Sequence, residues 1–447
     1  MTNFETTQSR PYNMAEAIAE AKRCLNCKAP QCRKGCPVGN QIPDWIHELS
    51  LGNLGNAMAI INTRSNLPAV CGRVCAHERQ CEGHCVLGKK GAHINIGKLE
   101  QFIADFDTAM NLTHLDTVQK DRGSVAVIGS GPAGLTVAGE LARRGFRVEI
   151  FEMEREAGGV LRFGIPEYRL PKSVVDSEID KIKSLGVHIT CGVTIGPDLT
   201  VDDLFERGFD AIFMGTGAGK PKRLEIEGSD MAGVRQAIYF LRRVSLFNAG
   251  LIERDEVPIE PGDRVFVVGC GNTAMDAART ALRFEAAEVN IIYHRDITRM
   301  TALKSEYDDA VAEGVKFIWN SAINRINSAD GRIISLTLKD DNHEWTVPAD
   351  KVVMAVGSGP AARIVSTSEG IETDEYGYVV TRTTEPYGMS TRKGVFASGD
   401  VTNRPATVVH AMADARLVAD GIEQYVSALR LIRSLEAENR EDSSEVE

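Results

Sequence analysis

The sequence predicts an α/β chain: a helical, cysteine-rich N-terminal part followed by two strand–turn–helix–strand units, the second inserted in the first. Three observations predict it. Eight of the ten cysteines fall within the first 85 residues. The stretch Val125–Glu152 reads as an apolar strand, Gly129-x-Gly131-x-x-Gly134, an alanine-rich helix, and a second strand ending in an acid. The pattern returns at Arg264–Arg295, where the second strand ends in a base.

Length and charge set the outer bounds. A chain of 447 residues predicts two to four domains. A formal net charge of −11 argues against nucleic-acid binding by bulk electrostatics. No apolar run approaches the roughly 20 residues needed to span a bilayer. The N-terminus MTNFETTQSRPYN is polar and lacks an apolar signal core. A soluble cytoplasmic protein is the expectation, and there crowded cysteines point to metal rather than disulfides.

The first part, residues 1–120, opens with a helix that Asn13 can cap, with Glu16 three residues later. The helix delivers Cys24-x2-Cys27-x4-Cys32-x3-Cys36-Pro37. A second run follows, Cys71-x3-Cys75-x5-Cys81-x3-Cys85. Between the runs, Trp45, Ile46 and Leu49, then Leu54, Ala57, Met58 and Ile61, predict two short amphipathic helices covering the site. Four-cysteine runs and the Cys-Pro ending favour two [4Fe–4S] clusters, with zinc as the rival and ligands free to cross between runs. His77 and His84 lie among the thiols and read as surface or supporting residues.

The first Rossmann-like unit, residues 121–256 with 347–430, is expected to bind a flavin dinucleotide. Gly129 permits the tight turn, Gly131 lets the backbone approach a pyrophosphate, and Gly134 lets the helix pack on the sheet. Pro132 and Ala133 open that helix, whose N-terminus faces the phosphates. Glu152 can bond both hydroxyls of the adenosine ribose. The stretch Ala157–Pro171 reads as a Gly/Pro-rich loop with a fixed path. It contributes Gly159, Leu161 and Gly164, with apolar side chains suited to the wall of a flat ring. A strand at Asp210–Met214 enters a turn at Gly217. Lys351–Gly357 is expected as a strand of this same unit. Gly399–Asp400 ends a further strand, where Asp400 can bond a ribityl chain, and Thr407 and Val408 lie at the start of the next helix.

The inserted unit, residues 257–346, carries Gly269-x-Gly271-Asn272-Thr273-Ala274. Its second strand ends in His294 and Arg295, with Arg299 close behind. A base where the first unit has an acid pairs with a 2′-phosphate, so this unit should prefer NADPH to NADH. Cys270 and Cys191 read as packing residues. Residues 431–447 read as an acidic, disordered tail.

Together these parts make a redox chain. NADPH gives a hydride, a cluster takes one electron, and a flavin mediates between them. No catalytic acid–base residues are needed. Neither dinucleotide unit contains Cys-x-x-Cys, which speaks against disulfide chemistry.

The crossed cysteine runs, Cys71-Gly-Arg-Val-Cys75, Gln80-Cys-Glu-Gly-His-Cys85, Gly158-Gly159-Val-Leu with Gly164-Ile-Pro166, Leu170-Pro-Lys172, and Gly271-Asn-Thr-Ala-Met-Asp276 resemble the glutamate synthase small-subunit family from about Ala15 to Gly421. That family includes the NADPH-side module of dihydropyrimidine dehydrogenase and the large subunit of the NADH-dependent ferredoxin:NADP oxidoreductase. The resemblance implies FAD, NADPH and two low-potential clusters. It implies Cys24, Cys27, Cys32 and Cys85 on one cluster, and Cys36, Cys75 and Cys81 on the other, with Gln101 or Cys71 as fourth ligand. It also implies an electron partner, either a larger catalytic subunit or a ferredoxin-type protein. His410, after Asn403–Thr407, departs from the expected flavin-edge pattern. A scaffold subunit with decayed sites is the reading of another class, and the intact glycines and cysteines count against it.

Overall fold

The structure, a computed structural model, describes residues 10–113, 118–360, 363–403 and 407–444. The chain forms two units. The larger comprises Arg10–Gly159, Ser173–Lys220 and Gly359–Glu447; the smaller contains Val160–Lys172 and Pro221–Ser358.

The larger unit begins with short helices at Met14–Ala21, Ile42–Ser50, Leu54–Asn62, Pro68–Val74 and Ile96–Met110. Asn13 and Glu16 form the expected capping box, satisfying two backbone N–H groups that the first turn leaves open. Trp45, Ile46, Leu49, Ala57, Met58, Ile61, Leu99 and Ile103 form one apolar core beneath the thiols. A parallel five-stranded sheet follows. Its spatial order is Val395–Ala397, Ala211–Met214, Ser124–Ile128, Arg147–Glu152, His188–Cys191. The strand Ser124–Ile128 is buried along its whole length, as a central parallel strand covered on both faces must be. Helix Pro132–Arg143 packs on this sheet beside helix Val408–Ser444, joined by ion pairs of Arg144 with Asp420 and Glu423.

The smaller unit repeats the theme with a parallel sheet ordered Val234–Gln236, Lys351–Met354, Arg264–Val268, Glu288–Ile292, Lys316–Ile318. A three-stranded antiparallel sheet, Ala322–Ala329, Arg332–Lys339 and Glu344–Pro348, is appended.

Three expectations need correction. Lys351–Met354 belongs to the smaller unit, pairing in register with Val265–Val268 on one side and Val234–Gln236 on the other. The inserted unit is therefore wider than residues 257–346. The stretch after Gly159 is not all loop: Val160–Phe163 closes one helical turn, and with the rest of Val160–Lys172 it packs in the smaller unit. The tail expected at 431–447 is helical as far as Ser444, where helix Val408–Ser444 ends, and residues 445–447 lie outside the described residues. From Ile422 to Ser444 there is no Gly or Pro, and Leu, Ala, Glu and Arg sustain the helix while Arg433 pairs with Asp210 at 2.6 Å.

Candidate redox site

The two cysteine runs fold into two adjoining chambers, both within the larger unit. The first is lined by Cys24, Cys27, Cys32 and Cys85 with apolar neighbours including Leu25, Ile46 and Leu87. The second is lined by Cys36, Cys71, Cys75 and Cys81 together with His77 and Glu100. Ile42 and Ile96 face both chambers and form the partition. Each chamber thus draws thiols from both runs. Burial pushes Cys32 and Cys36 up to about 11 and Cys75 and Cys81 well up too, with a hydrogen bond to Cys71 the larger cause for Cys75. A bound cation would favour the thiolate form that these raised thiols otherwise resist. Four sulfur donors in each chamber, among apolar side chains in the first and beside His77 and Glu100 in the second, fit an iron–sulfur core.

Gln101 is buried on helix Ile96–Met110 but does not line the second chamber. Its neighbour Glu100 does, and sequence reading passed over it. Glu100 is buried, and burial pushes its carboxyl up to about 8. The usable signal was the helix face: Ile96, Leu99, Glu100 and Ile103 all point inward, so Glu100 is a carboxylate on an otherwise apolar stripe. His77 is half-buried there, its Nε2 atom enclosed and without a hydrogen-bond partner, and desolvation lowers its ring to about 4.

The first glycine turn behaves as its spacing predicts. Gly129 has φ +94°, and Gly131 has open space where a Cβ would stand, in front of the helix N-terminus. A Cβ on Gly134 would lie 1.9 Å from the Gly129 carbonyl oxygen, so no side chain fits. This cradle fits a pyrophosphate. Glu152 is almost fully buried: one oxygen accepts from the Ser130 N–H at 2.9 Å and from the Ser130 hydroxyl, the other from the Glu154 N–H at 2.8 Å. Gly158 N–H donates to Ser130 Oγ at 2.9 Å, which brings Gly159 against Gly131. Gly399 packs on Ala133, so Asp400 arrives at the same place, and Gly215 of the turn leading to Gly217 backs Gly129. Leu161 and Gly164 are not in this unit; Leu161 is fully buried in the smaller one and Gly164 packs on Val160.

Thr407 and Val408 open the long helix, and Thr407 Oγ1 lies 2.7 Å from His410 Nδ1. One residue on, Val409 lines the second thiol chamber. Cys71 Sγ is 3.7 Å from Met412 Sδ, and Gln80 donates to Thr407 Oγ1 at 3.4 Å. The start of the long helix, where Thr407 and Val408 lie, and the second chamber therefore share a wall.

In the smaller unit Gly269 has φ +120° and Gly271 precedes helix Asn272–Arg283. Ala274 fills the third position, fully buried, and Thr273 is exposed at the helix start. Asn272 Oδ1 accepts from Leu303 N–H at 2.8 Å. Cys270 is buried, its carbonyl accepting from Thr301 Oγ1 at 3.1 Å, and burial pushes its thiol up to about 12, as befits a packing residue. His294, Arg295 and Arg299 are exposed beyond strand Glu288–Ile292. Tyr293 donates to the Arg299 carbonyl at 2.9 Å, and Asp296 caps the turn Ile297–Arg299 by accepting from Thr298 N–H at 2.7 Å.

Residues 1–112 match the family model described as dihydropyrimidine dehydrogenase domain II, 4Fe-4S cluster, and residues 123–415 the one described as pyridine nucleotide-disulphide oxidoreductase. The glutamate synthase [NADPH] small chain of Halomonas elongata is 36% identical over 438 residues, 93% of this chain and 92% of that one. The chain belongs to the glutamate synthase small-chain family. The Escherichia coli small chain is 34% identical over 441 residues, 93% of each. The Moorella thermoacetica NADP(+)-dependent formate dehydrogenase subunit beta is 35% identical over 437 residues, 88% of this chain and 60% of that one. Two solved structures share the fold: Lactococcus lactis thioredoxin reductase (TM-score 0.53, 24% identity, 68% of this chain, 99% of that one) and Mycobacterium tuberculosis FprA in complex with NADPH (TM-score 0.55, 19% identity, 69% and 85%). This small-chain family member is an electron-transfer oxidoreductase. The cofactor set that goes with the family is the one the sequence predicts: FAD, NADPH and [4Fe–4S] clusters. Among the described residues no helix is long and apolar enough to cross a membrane.

Proposed function

We propose that this chain moves electrons between NADPH and a larger catalytic subunit of glutamate synthase type, through FAD and then the two thiol chambers in turn. The observation that carries the reading is the shared wall: Val409 and Met412, just inside the helix that Thr407 and Val408 open, meet the second chamber. Gly129, Gly131, Pro132, Ala133, Gly134, Glu152, Gly159, Gly217, Gly399, Asp400, Thr407 and Val408 would hold FAD. FAD, when bound, takes a hydride and releases electrons singly. Gly269, Gly271, Asn272, Thr273 and Ala274 would hold the NADPH pyrophosphate, with His294, Arg295 and Arg299 about the adenosine 2′-phosphate. The protein contributes positioning and water exclusion. Ile42 and Ile96 separate the two chambers, and the thiol-rich sites suit a reducing, cytoplasmic compartment.

Cys24, Cys27, Cys32 and Cys85 would ligate the outer cluster, and Cys36, Cys75 and Cys81 the inner one. For the fourth inner ligand we favour Glu100 over Cys71 and Gln101. Glu100 lines that chamber, and its carboxyl, pushed up to about 8 by burial, stays neutral when no cation is present and would ionise on meeting one, whereas Gln101 does not line the chamber and Cys71 is engaged with Met412. Glu100→Ala should therefore change the inner cluster's electron paramagnetic resonance signal and lower its iron content, while Cys71→Ala preserves both. The reverse pattern would move the ligand to Cys71. Iron and acid-labile sulfide analysis of anaerobically prepared protein tests the clusters against zinc. Identification of the co-purifying protein tests the partner: a partner without glutamate synthase activity would redirect the reading to ferredoxin:NADP electron transfer or pyrimidine reduction.

A further inference from the structure

The stretch Val160–Lys172 leaves the first glycine-turn region yet packs inside the smaller unit, and it brings a buried charge network with it. Arg169 is almost fully buried. Its Nη1 donates to Asp276 Oδ2 at 2.7 Å and its Nε to Glu306 Oε1 at 2.9 Å. Asp276 lies one turn into helix Asn272–Arg283, the helix that starts at the nicotinamide-side glycine turn. Glu306 lies in the first turn of helix Lys304–Ala312, just past Ile297–Arg299. Tyr168 packs beside Arg169. The guanidinium of Arg279 lies 4.7 Å from the Tyr168 ring centre and that of Arg283 4.0 Å, while Arg279, with no exposed surface, also bridges to Glu306 and Glu313. Lys172 locks the stretch on itself, donating to the carbonyls of Leu161, Ile165 and Leu170 at 3.1, 2.6 and 3.0 Å.

So one side chain joins two helices whose starts carry different parts of the nucleotide site. One follows the pyrophosphate turn; the other follows the loop with Arg295 and Arg299. We propose that Arg169 is a positioning residue for NADPH recognition: by bridging Asp276 and Glu306 it fixes the spacing between the pyrophosphate turn and the 2′-phosphate loop, and so sets the preference for a 2′-phosphorylated nucleotide. This rests on the reading that Arg295 and Arg299 meet the 2′-phosphate. A stabilising ion network alone would behave differently. Replacing both members of a buried pair by apolar residues of similar volume is often neutral for stability, whereas removing one strands the other. Restoring stability does not restore the bridge.

The test uses the full-length, cofactor-loaded protein and calorimetric titration with 2′,5′-ADP and 5′-AMP, alongside thermal unfolding and flavin and iron content. Wild type should favour 2′,5′-ADP. Arg169→Met should unfold at lower temperature and lose the preference at least tenfold. The paired Arg169→Met/Asp276→Leu variant should recover the unfolding temperature but not the preference. Tyr168→Leu, which strands no charge, should lower the preference by a smaller factor with flavin and iron intact. A preference that returns with stability in the paired variant, or that stays at the wild-type ratio in the paired and Tyr168→Leu variants, overturns the proposal. A wild type that binds both nucleotides equally overturns the Arg295 reading, and this inference with it.

Discussion

The two glycine turns share one backbone plan and are finished differently. Each follows a buried parallel strand, has a left-handed first glycine, and starts a helix at its second. At the third position the larger unit has Gly134, whose hypothetical Cβ meets the Gly129 carbonyl, whereas the smaller unit accommodates Ala274. At the strand end Glu152 is buried and bonded to its own turn through Ser130 and Glu154, whereas Arg295 is exposed. A turn stapled by its own acid suits a group held permanently. A turn whose base stands in solvent suits a nucleotide that arrives and leaves.

Exchange of the third residues should break the comparison most strongly. Gly134→Ala forces a methyl into backbone, so something must shift. The cost should exceed about 3 kcal/mol, beyond ordinary overpacking, and the protein should lose bound flavin. The mirror change, Ala274→Gly, removes one methyl from a helix and should cost only about 1–2 kcal/mol from propensity and lost packing. Flavin content and urea unfolding measure both. Equal losses would mean that the two turns are packed alike.

Next in size is the strand-end contrast. Arg295→Ala removes an exposed cation and should leave stability within about 0.5 kcal/mol. NADPH binding should weaken by roughly 1.5–3 kcal/mol, about ten- to a hundredfold, with NADH binding nearly unchanged. An equal loss for both nucleotides would remove Arg295 from the 2′-phosphate.

These contrasts show what sequence could carry. The glycine-turn geometry at Gly129–Gly134 and the strand end at Glu152 were legible because both are set within one βαβ unit. The capping box at Asn13 and the helices over the thiols were legible for the same local reason. Lys351–Met354 was not: an apolar strand does not announce which of two parallel sheets it will join, and register with Val265–Val268 decides. Glu100 was missed because its meaning depends on which helix face turns toward Cys36 and Cys81. The Gly/Pro-rich stretch after Gly159 read as loop because its stabilising partners, Asp276 and Glu306, lie far along the chain.

The smallest expected effect concerns how each unit ties its irregular stretch. The larger unit uses an acceptor: Glu152 collects N–H and O–H donors around its turn. The smaller unit uses a donor: Lys172 Nζ stands within hydrogen-bond distance of three carbonyls. Burial pushes Lys172 down to about 8 from 10.5. Between those values the unfolded chain still binds a proton that the folded protein has released, so stability from this group rises with pH across that window. It is fully present above pH 10.5 and lost as pH falls through about 8. The slope cannot exceed about 1.4 kcal/mol per pH unit. Lys172→Met has no such titration. The difference in urea-unfolding free energy between wild type and Lys172→Met should therefore shift in favour of wild type by about 1–2 kcal/mol from pH 8 to pH 9.5. A flat difference would mean that Lys172 keeps its proton when folded, and that the carbonyl triad outweighs its burial.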